Sequence, residues 1–391
     1  MPLLFLIAAA AASITAPSAQ PVGIATLAAD AEQRWVPFDL TPGNQLRFSL
    51  TIDGRPATAI LDTGVSYSVL SRRFADAAAL KVSAGGNATA IGGVVPIGWA
   101  ATRIVAFGGL TRRGGGLTVA TLPALATGSA EPVDLLVGRD LTGAYALDID
   151  YAARRFRLLP SGRMPFRGAT APLAISRDRL VYVSEITLGA ARLRPMVVDT
   201  GDGSAVTVTA GGWTAARVAG VRTTTTISFG LAGTVTSTIG VVPALGLGEL
   251  TARNVEVRVE PVRGFSESIE AAGRIGSGFL QNYRVLLDPT ARRMILAPGP
   301  SADQPPLRST SGLLVGIDRE RLRILHVMRS GPAEAAGWKP GETICAIDGQ
   351  PIPRDYATSP LAGWSAGTPG RVVTLRLCDG VERQLTLKDF Y

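Results

Sequence analysis

The triplet Asp-Thr-Gly occurs twice, at Asp62–Gly64 after "AIL" and at Asp199–Gly201 after "MVV". Average residue usage gives about 0.1 occurrences of such a tripeptide in a chain this long. Each copy drives a carboxylate into the end of an otherwise apolar, β-branched strand. A buried carboxylate is costly unless it is paired and hydrogen-bonded or its proton belongs to a mechanism.

The surroundings repeat as well. Residues 133–160, "VDLLVGRDLTGAYALDIDYAARRFRLLP", lie without a gap over residues 271–298, "AAGRIGSGFLQNYRVLLDPTARRMILAP". Gly138, Tyr145, Asp150, Ala153, Arg154, Arg155, Leu158 and Pro160 fall on Gly276, Tyr283, Asp288, Ala291, Arg292, Arg293, Leu296 and Pro298. Upstream, "LTIDGRPATAILDTG" and "ITLGAARLRPMVVDTG" both read as strand, tight turn, strand. The chain therefore holds a tandem duplication. Each half also carries a glycine-rich middle, "AIGGVVPIGWAATRIVAFGG" and "ISFGLAGTVTSTIGVV", patterned as a β-hairpin able to close over a cleft. Gly92, Gly93, Trp99 and Gly233 are the candidate residues of these flaps and of a substrate cleft.

Composition agrees with a β-rich chain of two or three domains: 391 residues, 45 Gly, 26 Pro and many Val, Thr and Ala in short runs. Residues 1–19 read as a signal peptide, an apolar run followed by small residues, with cleavage near Ser18 or Ala19. That implies a periplasmic or secreted protein, with membrane association through an uncleaved N-terminus left open. The net charge of +8 is carried almost wholly by scattered arginines, with no basic run suited to nucleic acid. Cys345 and Cys378 are the only cysteines, too few for a thiol metal site or a disulfide framework. They can pair in an oxidising compartment only if their strands are neighbours, which the sequence leaves open. The single histidine, His326, lies in "RILHVM", an ordinary strand setting rather than a hydrolase triad.

On the two Asp-Thr-Gly motifs and "LLVGRDL", residues 34–298 resemble the aspartic peptidases, more closely the retropepsin-like group than the classical pepsins. Residues 324–352, "ILHVMRSGPAEAAGWKPGETICAIDGQPI", resemble a bacterial PDZ domain of the kind carried by envelope proteases. The resemblance implies a mainly β fold: two tandem retropepsin- or pepsin-like β-barrel lobes in a pseudo-twofold bilobal unit, followed by a PDZ domain. The boundaries are 1–19 signal peptide, 20–165 first lobe, 166–300 second lobe, 301–312 a Pro/Ser-rich linker, and 313–391 PDZ domain.

It further implies catalysis by Asp62 and Asp199, sharing one proton and activating water with no metal or cofactor. Thr63 and Thr200 would exchange hydroxyl hydrogen bonds across the lobe junction. Gly64 and Gly201 would let backbone N–H groups approach the carboxylates, and Gly138 and Gly276 would pack beside the aspartate loops. Ser66 would hydrogen-bond the outer oxygen of Asp62. The second motif departs from this pattern, with Gly203 in place of that serine, Asp202 added, and "RIGSGFL" lacking the Arg-Asp of "VGRDL". Losing a donor and gaining a negative neighbour predict that Asp62 ionises more readily and Asp199 holds the shared proton. The expected protein is an exported aspartic endopeptidase acting on peptides or unfolded proteins. It would be a monomer that pairs its own lobes, with a peptide ligand for the PDZ domain and no nucleic-acid partner. The alternative is a non-cleaving protease-fold and PDZ peptide-binding protein of the cell envelope.

Overall fold

A computed structural model describes residues 23–127, 132–302 and 304–391. The signal-peptide segment, 1–19, lies outside the described residues. The described chain is mainly β, as the short β-branched runs predict.

Four sheets organise it. The first has eleven strands. Its order runs from the hairpin Leu46–Ile52 and Arg55–Leu61 through Leu135–Val137, Val69–Ser71 and Gly116–Ala120 to the outer hairpin Gly93–Ala101 and Val82–Ala90. An eight-stranded sheet visits the corresponding segments in the same order: Tyr182–Leu188, Ala191–Asp199, Gly273–Gly276, Val206–Val208, Leu250–Val259, Gly233–Leu247 and Thr223–Gly230. Arg55–Leu61 and Ala191–Asp199 are interior strands, flanked on both sides, so the residues leading into each aspartate are apolar: Ala59, Ile60 and Leu61 are fully buried, as are Met196 and Val198.

A six-stranded antiparallel sheet joins the two halves beneath. Ala146–Asp150 pairs with Tyr283–Asp288, Leu147 opposite Leu287 and Ile149 opposite Val285. These are the strands of the matched "ARR" segments. Their inward side chains, with Phe156, Leu158, Met294 and Leu296, belong to one core that continues through both halves. Asp148, fully buried in this seam, accepts hydrogen bonds from Arg157 of one half and Arg284 of the other, so its charge is paired twice.

Residues 313–391 form a separate six-stranded sheet with its own core of Leu322, Ile324, Trp338, Ile344, Val373, Leu375 and Leu385. Thr343–Ile347 and Val372–Leu377 are neighbours in it, and Cys345 and Cys378 are joined by a disulfide. The end of the expected linker is absorbed into this unit: Thr310 and Ser311 N–H groups donate to the Ser365 carbonyl, and Lys388 N–H donates to that of Thr310. The unit rests on the outer hairpin of the second half. The Thr224 hydroxyl donates to the Arg329 carbonyl, Thr225 bonds the His326 ring, and Ile239 packs with Met328 and Tyr391.

The disulfide closes a loop of 33 residues. Replacing both cysteines by alanine is expected to destabilise residues 313–391 by about 3 kcal/mol. Amide exchange should quicken in that unit while protection in the two larger sheets stays as it was; quickening throughout would contradict a separate core.

Candidate active site

Asp62 and Asp199 stand where the two buried central strands run out, 8% and 7% exposed. The loops that follow are locked together by the threonines. Thr63 N–H donates to Thr200 Oγ1 at 3.1 Å and Thr200 N–H to Thr63 Oγ1 at 3.0 Å, while each hydroxyl donates to a carbonyl of the other half, Val198 and Leu61, at 2.7 Å. Both threonines are fully buried, and these four bonds satisfy both of their amides and both of their hydroxyls. The exchange draws each glycine onto the opposite carboxylate. A Cβ on Gly64 would lie 2.3 Å from Asp199 Cγ, and one on Gly201 would lie 2.3 Å from Asp62 Cγ. Only glycine fits at either place. The two carboxyl groups face one another across these glycines; Gly64 N–H donates to Asp62 Oδ1, and Gly201 and Asp202 N–H groups donate to Asp199 Oδ1.

Gly138 and Gly276 sit behind the aspartate loops. A Cβ would come within 2.8 Å of the Val65 carbonyl oxygen at the first and 2.3 Å of the Ser204 carbonyl oxygen at the second. In the first half the loop is braced by Asp140, which accepts from Ser68 N–H and Oγ at 2.8 and 2.7 Å. The second half has no Asp at the matching place because Asp202 does this from inside the loop, accepting from Ser204 N–H and Oγ at 2.9 and 2.6 Å. Its charge is met by Arg274, 4% exposed, whose Nε donates to Asp202 Oδ2 at 2.8 Å and lies 4.0 Å from Asp199 Oδ2. Arg274 Nη1 also donates to Glu260 and to Ser266 Oγ.

Three expectations are corrected. Ser66 does not bond Asp62; its hydroxyl donates to the Arg179 carbonyl, brought across from the second half. Gly203 is not simply a lost serine, since a Cβ there would lie 1.6 Å from the Gly43 carbonyl oxygen. The turn at Gly43 fills that space, with Asn44 donating to the Gly203 carbonyl and Gln45 to that of Gly201. The charge balance expected around Asp199 left out Arg274. Burial, then the Asp199 charge and the hydrogen bond to it, push Asp62 well above the ordinary carboxylate value, whereas Asp199 is raised only to about 6, by burial and Asp202, with Arg274 opposing. Asp202, although buried, is held at about 2 by Arg274 and the Ser204 donors.

The outer hairpins meet above this floor. Ala232 N–H donates to the Ile91 carbonyl at 3.2 Å, and a Cβ on Gly92 would lie 2.9 Å from Gly233 N. Between hairpins and carboxylates is a cavity of about 590 Å³, walled by apolar side chains that include Val69, Ile97, Leu136, Ile227 and Phe229. Gly92, Gly93 and Gly233 form the hairpin tips without lining it. Trp99 does not line it either: it lies at the foot of the first hairpin, its ring over Gly116, where a Cβ would fall 2.4 Å away. Arg274, Gln45 and Asn44 do line it and carry no local motif; the arginine in "RIGSGFL" was their one visible signal.

A family model described as aspartyl protease matches residues 48–141, which takes in the first Asp-Thr-Gly and Gly138-Arg139-Asp140. The first half of the chain thus carries the sequence pattern of an aspartyl protease. No curated protein matches the chain.

Both dyad carboxyls sit above their ordinary value of 3.8, so folding takes up protons there. The stability they contribute is complete below 3.8; the share of Asp199 is lost as the pH rises through about 6, and that of Asp62 as it rises through that group's own raised value. Asp62→Asn, which removes the like charge, is expected to be more stable than the native protein at pH 7 by on the order of 2 kcal/mol, with the gap closing toward pH 4. Thermal denaturation across that range checks it; a gap independent of pH would contradict the raised pair.

Proposed function

We propose that the protein is an exported, single-chain aspartic peptidase that hydrolyses peptide bonds in extended peptides or unfolded proteins, with a C-terminal PDZ unit. The observation that carries this reading is the pairing of two buried carboxyls by reciprocal threonine bonds at the floor of an apolar cleft.

Two carboxyls in contact cannot both ionise cheaply, so near mildly acid pH the pair holds one proton. In the proposed reaction the Asp199 carboxylate takes a proton from water as its oxygen attacks the scissile carbonyl carbon. Asp62 gives its proton to the carbonyl oxygen. The tetrahedral intermediate then collapses with proton return to the leaving amine. The apolar walls exclude bulk water, and the hairpin backbones offer an extended chain its hydrogen bonds.

For the C-terminal unit, Leu313–Asp318 is an edge strand that, among the described residues, pairs with the strand Arg321–Val327 alone, which supports peptide docking by strand addition. The amides ahead of it are engaged: Gly312 N–H donates to Ser309 Oγ and Leu313 N–H to Ser311 Oγ. The sheet edge, rather than a nest for a terminal carboxylate, is the supported contact. Export is supported by the N-terminal apolar run and by the disulfide, which suits an oxidising compartment.

Purified protein should cleave unfolded casein at acid to neutral pH at a rate first-order in enzyme, as expected of a monomer. Asp62→Asn and Asp199→Asn should each lower the rate about 10³-fold. A folded native protein that cleaves nothing between pH 3 and 7 would leave the non-cleaving binder as the reading.

A further inference from the structure

The two walls of the dyad differ at one pair of matched positions. Leu136 lies opposite Ile60 on the strand beside Asp62, and Arg274 lies opposite Val197 on the strand beside Asp199. Both line the cleft. One aspartate therefore has a hydrocarbon beside its strand and the other a buried guanidinium. Asp202 and Arg274 form an ion pair whose cation is within 4.0 Å of Asp199 Oδ2, while the floor on the Asp62 side is made by Leu136, Val65 and Val69. The charged groups facing Asp199 are Asp62 across the dyad, Asp202 on its own loop and Arg274 on the neighbouring strand. Glu260 stands on the far side of Arg274, and Arg179 and Arg258 stand on the cleft walls.

We infer that Arg274 is a positioning residue that sets the asymmetry of the dyad, keeping Asp199 as the carboxylate and leaving the shared proton on Asp62. This rests on the peptidase reading for its kinetic consequence but not for its titration. The guanidinium acts in two ways. It holds Asp202 as a carboxylate in the one orientation that braces Ser204, and it places a positive charge against Asp199. Asp202 alone would oppose ionisation of Asp199, and Arg274 offsets it. The roles follow: Asp199 is the base toward water and Asp62 the acid toward the carbonyl oxygen.

Two variants separate the opposing charges. Asp202→Asn keeps the Arg274–Glu260 pair and removes the negative neighbour, so the acid limb of kcat/KM should move to lower pH by about one unit. Adding Arg274→Gln on that background removes the cation without orphaning Asp202, and the limb should return upward by a similar amount; Arg274→Lys in its place should not restore it. A purely structural role for Arg274 would lower the rate or the melting temperature and leave the limb where Asp202→Asn put it, which would overturn the inference. The same titrations followed by 13C NMR of the Asp62 and Asp199 carboxyl carbons need no turnover. Asp199 should ionise first in the native protein and follow the same shifts. Asp62 ionising first would overturn the inference even in an active enzyme. The expected NMR order in a protein that cleaves nothing would sink the peptidase reading and leave this one standing.

Discussion

The exchange between Thr63 and Thr200 is the contact on which the rest of the site depends, because each of its four bonds joins a threonine hydroxyl of one half to the backbone of the other. Each hydroxyl accepts from the other loop's amide and donates to a carbonyl one residue before the other aspartate. All four bonds lie in a dry interior, where an unmade partner costs about 1–3 kcal/mol. The loops therefore have one relative position. That position puts Gly64 under Asp199 and Gly201 under Asp62, and the carboxyl pair follows without a dedicated bridging residue. The antiparallel seam of Ala146–Asp150 with Tyr283–Asp288 holds the two halves at the spacing the exchange requires.

Such a pair is expensive, and how the cost is met differs between the halves. Asp62 gains only one amide donor and stays protonated; Asp199 gains two and a nearby cation. On the second side the bracing carboxylate has moved into the aspartate loop, and a negative group so close would defeat ionisation without a counter-charge. Arg274 supplies it and is itself held by Glu260. Removing Arg274 takes the cation from both Asp202 and Glu260, so the cluster hangs on that one guanidinium.

What could be read from the sequence was what is local or repeated. The aspartate loops, the threonines and the matched strands are each encoded within a few residues, and the duplication doubled every signal. The failures came from contacts made across long separations. Ser66 turned to a carbonyl 113 residues away, and Gly203 answers to the turn at Gly43, whose neighbour Asn44 binds it over 159 residues. Arg274 is 72 residues from the carboxylate it neutralises. Counting Asp202 without it left the charge beside Asp199 unbalanced. The disulfide needed the register of Thr343–Ile347 against Val372–Leu377, which no spacing rule supplies.

The asymmetry extends from floor to roof. The hairpins match in strand order and touch at Ile91 and Ala232, yet only the second has a body packed against its outer strand, where Thr224 and Thr225 bond Arg329 and His326. On the first hairpin the outer strand Val82–Ala90 pairs with Gly93–Ala101 alone, and its side chains are mostly exposed. The half with the ionised aspartate is thus also the half whose hairpin is tied down. A duplicated chain begins with two equivalent sites; here one Arg-for-Leu difference at the floor and one appended sheet at the roof make the halves unequal. Unequal halves suit a substrate that has none of the scaffold's twofold symmetry, since a peptide presents different groups on the two sides of the bond it offers.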